Sequence, residues 1–182
     1  MRTIQAASRQ QGFKLLELML VVSLLALTAS FGGQQMRDLV SGSQVRSSVH
    51  TVHIAFRLAR QTAVEERTTI TLCVLDEDGA CGPQWNNGPL VVFRDPNHNR
   101  QVHTADQVVR QFELPDNVRL SSHPSHMPWH QYNLMGAPRR ATGGHVRLCA
   151  PGESGERARI IIAQAGRTRL ERYDEPGEAC VE

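Results

Sequence analysis

Apolar residues crowd one end of this chain and are spaced out along the rest of it. Residues 13–33, FKLLELMLVVSLLALTASFGG, are almost continuously apolar, close to the ~20 residues a helix needs to cross a bilayer. Beyond Gly33 the pattern becomes amphipathic. Gly42, Val45, Val49, Val52, Phe56, Ala59 and Ala63 follow one another in alternating steps of three and four, a single stripe on a helix face, with Arg46, Arg57, Arg60, Glu65 and Glu66 off it. The two patterns predict one long helix from Phe13 to about Glu66, weakened near Gly32, Gly33 and Gly42.

From Thr68 the period shortens. Residues 68–75 (TTITLCVL) are rich in β-branched side chains and read as a strand. A loop with Cys81 and Trp85 ends at the turn signal Gly88-Pro89, and 90–94 is the next strand candidate. Residues 107–114 alternate well, and 118–121, 131–134 and 145–150 are shorter candidates. Residues 157–163 and 167–172 flank Gln164-Ala165-Gly166 and read as a terminal hairpin. One long helix followed by many strands implies an α+β fold, the amphipathic helix packed on an antiparallel sheet. The expected organisation is a leader at 1–12, an assembly helix at 13–33, an amphipathic helix at 34–66 and a β-rich domain at 67–182.

The order of signals at the N-terminus is unusual. A conventional secretory signal places its cleavage site after the apolar stretch. Here Gly12 precedes that stretch, and an acidic residue, Glu17, lies just inside it. The basic leader favours the cytoplasmic side, which sends the C-terminal domain to the periplasm behind a single inner-membrane pass. A carboxylate in hydrocarbon is costly and calls for a partner. Cleavage between Gly12 and Phe13 would create an α-amino group able to neutralise Glu17 of a neighbouring subunit, a registry device that penalises unpaired assemblies. Gly12-Phe13-Lys14-Leu15-Leu16-Glu17-Leu18 resembles the leader junction of type IV pilins and type II secretion pseudopilins. The resemblance implies cutting by prepilin peptidase, N-methylation of Phe13, and assembly with other pilin-like subunits guided by Glu17. Lys14 and Leu16 depart from the commoner Thr and Ile without touching the Gly, Phe or Glu.

Charge adds little at first sight: the formal net charge is +2, and the only lysine is Lys14. Four cysteines, Cys73, Cys81, Cys149 and Cys180, all follow the apolar block. An even number in an exported domain implies two disulfides. The short separation favours Cys73 with Cys81, leaving Cys149 with Cys180. No CxxC pair supports zinc. Asp95, Asn97, Asn99 and Asp106 have the spacing of a calcium loop, but Arg100 stands where glycine is needed, so an Asn-rich turn is expected. His123, His126 and His130 could gather a metal, but Pro124 and Pro128 break any helix that would align them. No metal, cofactor, small-molecule substrate or catalytic constellation is expected, and the chain reads as a non-enzyme.

The last third is Arg-rich. From Arg139 to Arg172 there are eight arginines against three glutamates. Arg157 with Arg159, and Arg167 with Arg169, share strand faces by their period of two, a cationic strip able to contact phosphates. Residues 59–64 (ARQTAV) leading into 69–73 (TITLC), residues 90–95 (LVVFRD) and the closing Gly166-Arg167-Thr168-Arg169 are together similar to the GspH/FimT minor-pilin group. That resemblance implies a minor subunit of a type IV pilus or type II secretion pseudopilus. It also implies an alternative role in capturing extracellular DNA, through Arg167 and Arg169 first, then Arg157, Arg159 and Arg172. Residues 121–131 (SSHPSHMPWHQ) match no part of the resemblance.

Overall fold

The computed structural model describes residues 15–86, 88–123, 127–139, 144–149 and 157–172, with the backbone alone at 28–42, 157 and 172. The Gly12–Phe13 junction therefore lies outside the described residues, as do His126 and Cys180. Helix α1 runs Leu15–Glu66, close to the predicted span. The chain divides into two compact units, Met1–Arg37 and Asp38–Glu182.

In the first unit, the described side chains from Leu15 to Leu27 are exposed on every face of α1, with Glu17 in its first turn. Among the described residues no helix is long and apolar enough to cross a membrane. The far part of the predicted 13–33 span lies beyond the described side chains.

The second unit begins with the remainder of α1. Its stripe is buried as the spacing predicts: Val45, Val49, Val52, Phe56, Ala59 and Ala63. Ser48, Ala55 and Thr62 widen it. Among the described residues eight strands follow: β1 (Ile70–Val74), β2 (Leu90–Arg94), β3 (Val108–Phe112), β4 (Arg119–His123), β5 (Trp129–Tyr132), β6 (Gly144–Cys149), β7 (Arg157–Ile162) and β8 (Thr168–Arg172). All their pairings are antiparallel. The α+β fold is as expected, but the strands form two four-stranded sheets, β3-β2-β1-β5 and β4-β6-β7-β8. Strand β5 lies between β4 and β6 in sequence yet joins the first sheet beside β1. One core then serves α1 and both sheets, uniting Val52 and Phe56 with Leu72, Val92, Leu148 and Ile160.

Strand β1 is buried along its whole length, which removes the polar–apolar alternation of a half-exposed strand. Ile70, Leu72 and Val74 face the main core. Cys73 faces a smaller cluster with Val91 and Phe93, covered by Val102 and Trp129. There Cys73 is bonded to Cys81, tying the loop after β1 back onto the sheet. Cys149 is disulfide-bonded too. At the end of α1, Glu66 accepts two hydrogen bonds of 2.6 Å from Arg94, which fastens the helix to the end of β2.

The histidines separate. His123 stacks on His145 at 5.1 Å between ring centroids, whereas His130 is enclosed by Phe56 and Trp85. Burial pushes the His130 pKa down to about 4. The unfolded chain would bind this proton near pH 6.5, so the folded state loses stability as pH falls from about 6.5 towards 4. The loss should reach about 3 kcal/mol, from ~1.4 kcal/mol per pKa unit. Denaturant titrations of wild type and His130→Phe at pH 7 and pH 4.5 should show wild type losing more stability on acidification. Equal losses would contradict this assignment.

Candidate functional site

The terminal hairpin has a tight turn that its sequence dictates. Ala163 N–H donates to the Arg167 carbonyl at 2.9 Å, and Gly166 N–H to the Ala163 carbonyl at 2.8 Å. Gly166 has φ +77°, a left-handed conformation that glycine adopts without penalty. A second turn follows β5, where Gly136 N–H donates to the Asn133 carbonyl and Gly136 has φ +72°. The two turns press together so closely that a Cβ on Gly166 would lie 1.8 Å from the Gly136 carbonyl oxygen. Arg60 on α1 donates from Nε to that same oxygen at 3.0 Å. Helix, β5 turn and hairpin turn converge on one carbonyl.

Beside this junction lies a cleft of about 680 Å³. Its lining includes the polar side chains of His53, Arg57, Arg60 and Arg167 and the apolar ones of Val64 and Met135. Glu65 is the only carboxylate lining it among the described residues, and it accepts a hydrogen bond from Gln61 Nε2 at 2.8 Å. Burial, then the Arg57 charge, lower the His53 pKa, while a hydrogen bond with the Thr168 backbone opposes them. Near neutral pH, therefore, the positive charge of the cleft comes from its arginines.

The arginines expected to form one strip have different surroundings. Arg159 donates from Nε to Glu171 Oε2 at 3.0 Å, and its cross-strand partner is Glu171. That bond holds the Glu171 carboxyl below its usual range. Arg169 is exposed opposite Ile161, in the row next to the Arg159–Glu171 pair. Arg167 precedes β8 and lines the cleft. Arg157 and Arg172 pair with Cys149 and Ala158, and only their backbones are described. Arg57 and Arg60 entered the sequence reading only as residues off the apolar stripe. Their spacing of three, on one helical face, is the signal that could have singled them out.

The calcium-like loop is explained by a structural carboxylate. Asp95 is 1% exposed. Its Oδ2 accepts from Thr71 Oγ1 and Gln131 Nε2, both at 2.7 Å, and from Arg100 N–H at 3.0 Å; its Oδ1 accepts from Asn99 N–H at 3.0 Å. The carboxylate thus joins β1, β5 and the turn after β2. Among the described residues no group of three or more His, Cys, Asp or Glu could hold a metal ion.

Residues 48–166 match the family model of the type II transport protein GspH. This chain belongs to the GspH family. The matched range of this GspH-family chain contains Arg57, Arg60, Gly136 and Gly166 and stops one residue short of Arg167. The chain is also similar to the type IV major fimbrial protein FimA of Dichelobacter nodosus, 34% identical over 86 residues, which are 46% of this chain and 48% of that protein. The match thus spans about half the length of that relative. Among solved structures, the type IV minor pilin FimU of Pseudomonas aeruginosa aligns with a TM-score of 0.53 and 16% identity, covering 76% of this chain and 96% of FimU. The minor pseudopilin EpsH of the type 2 secretion system of Vibrio cholerae aligns with a TM-score of 0.51 and 17% identity, covering 74% of this chain and 99% of EpsH. At such identities the two structures establish the fold, which is that of pilin-like subunits. The GspH family is one of structural subunits rather than enzymes.

Proposed function

We propose that this GspH-family chain is a minor pilin or pseudopilin that initiates or caps a type IV pilus or a type II secretion pseudopilus. One observation carries the reading: an exposed helix segment, Leu15 to Leu27, apolar on every face and interrupted by the single charge of Glu17. Such a surface needs a bilayer or apolar neighbours to cover it. Before assembly the bilayer of the inner membrane would serve, with the second unit in the periplasm. In the filament, neighbouring helices would replace it. Prepilin peptidase would cut between Gly12 and Phe13, and the new α-amino group would pair with Glu17 of an adjacent subunit. Mass spectrometry of the chain recovered from its own cells should find the mature protein beginning at N-methylated Phe13. A chain that retains residues 1–12 would contradict the reading.

A second reading, capture of extracellular DNA by the terminal hairpin, draws on one feature. Neither the Arg167 nor the Arg169 side chain makes a hydrogen bond or a close ion pair among the described residues. The Arg159–Glu171 pair works against it by removing a cation from the strip. Salt-dependent binding of duplex DNA, lost on joint Arg167→Ala and Arg169→Ala substitution, would support this role. Absence of binding would remove it.

A further inference from the structure

The cleft beside Gly166 has a composition that filament anchoring does not use. Past Arg37, the exposed large hydrophobics among the described residues are Ile54, Val64, Leu134 and Met135. Single exposed apolar residues need no explanation, but two of these share one cleft. Val64 and Met135 line the cleft, and Leu134 adjoins Met135. Ile54, Arg57, Gln61 and Val64 follow in steps of three and four along one face of α1. Beside these apolar residues, the side chains of Arg57 and Arg167 make no hydrogen bond or ion pair among the described residues. Arg60 is held by the Gly136 carbonyl, and Glu65 is engaged by Gln61. Cations and apolar surface are therefore presented together.

We propose that this cleft receives a peptide segment of a partner protein in which a carboxylate stands next to an apolar side chain. The carboxylate would take charge-assisted, bidentate hydrogen bonds from Arg57 or Arg167. The apolar side chain would cover Val64 and Met135. A phosphodiester or a free inorganic anion would satisfy the arginines but leave Val64 and Met135 in water, so charge and apolar area together favour a peptide. Identifying the partner as another filament subunit rests on the function proposed above; the peptide chemistry does not.

The test uses the full chain in detergent micelles and fluorescence anisotropy. The probes are a fluorescein-labelled peptide of alternating Glu and Leu, its counterpart with Gln for every Glu, and a labelled oligothymidylate. The Glu-Leu peptide should bind. Its affinity should fall roughly tenfold or more in the Arg57→Ala/Arg167→Ala double variant, as when a charge pair is truncated. It should fall also in Val64→Ser/Met135→Ser, and hold in Arg169→Ala, which lies outside the cleft. All five positions are exposed, so the fold does not depend on them. Equal binding of the Gln counterpart, tighter binding of the oligothymidylate, or no binding of the Glu-Leu peptide would each overturn the proposal. None of these results bears on whether Glu17 directs assembly, so the two claims fail separately.

Discussion

Replacing Gly166 by alanine should come close to unfolding the second unit. The substitution carries two penalties. A left-handed conformation costs an L-residue roughly 1–2 kcal/mol. The added Cβ also meets the Gly136 carbonyl oxygen at 1.8 Å, where the obstacle is backbone of a hydrogen-bonded turn rather than a side chain that can swing aside. Overpacking of this kind costs about 1–3 kcal/mol, so the sum is on the order of 4 kcal/mol. Marginal domains have only about 5–15 kcal/mol to lose. Gly136→Ala is the informative comparison. Its Cβ would meet Val64 Cγ2 at 2.8 Å and the Arg60 side chain at 3.2 Å, and both can shift. Thermal denaturation should rank wild type above Gly136→Ala and Gly136→Ala above Gly166→Ala. A Gly166→Ala protein that melts with wild type would refute the close approach of the two turns. The glycine of the Gly-Arg-x-Arg segment is thus a structural requirement, and loss of function on changing it would say nothing about ligand contact.

Asp95→Ala should be comparably severe for a different reason. The carboxylate accepts four hydrogen bonds from groups in three parts of the fold. Without it, the Thr71 hydroxyl and the Gln131 amide remain buried and lose their acceptor; Gln131 Nε2 keeps only the Thr71 oxygen at 3.1 Å. Each orphaned buried donor costs about 1–3 kcal/mol, and more beside a charged partner. The total is on the order of 4 kcal/mol in a denaturant titration. Asp95→Asn should fall between, because one amide oxygen can still accept while the NH2 group faces donors. Because the wild-type carboxylate is occupied by these donors, added calcium should leave the unfolding midpoint unchanged. A calcium-dependent rise in that midpoint, abolished by Asp95→Asn, would contradict the structural role.

Much of the scaffold was legible because its signals are local. The stripe from Val45 to Ala63 is buried where helical spacing puts it, β2 occupies the 90–94 run, and the hairpin turns at Gly166. The division into two sheets was not legible. Local alternation marks where strands lie, whereas the pairing of β5 with β1 depends on contacts between distant segments, such as Gln131 with Asp95. His130 looked like part of a histidine cluster because His123 and His126 precede it in a segment rich in Ser and Pro. Its neighbours in space are Phe56 and Trp85. The cleft was hidden for the same reason. Arg57 and Arg60 look like solvent-facing residues until two glycine turns, far apart in sequence, meet beneath them. Glu17 was conspicuous from the start, because a lone charge in an apolar run stands out without any fold.

That residue offers the most direct test of the proposed assembly role. The full chain should be expressed in its own cells as wild type, Glu17→Asp and Glu17→Ala, and the filament or pseudopilus fraction isolated and probed for each. All three should be processed to a mature chain that begins at Phe13, because the cleavage junction is intact in each. Wild type should appear in the assembled fraction, Glu17→Asp at a reduced level, and Glu17→Ala should stay in the membrane fraction. Assembly of Glu17→Ala at the wild-type level would contradict the claim that this carboxylate brings the subunit into a filament.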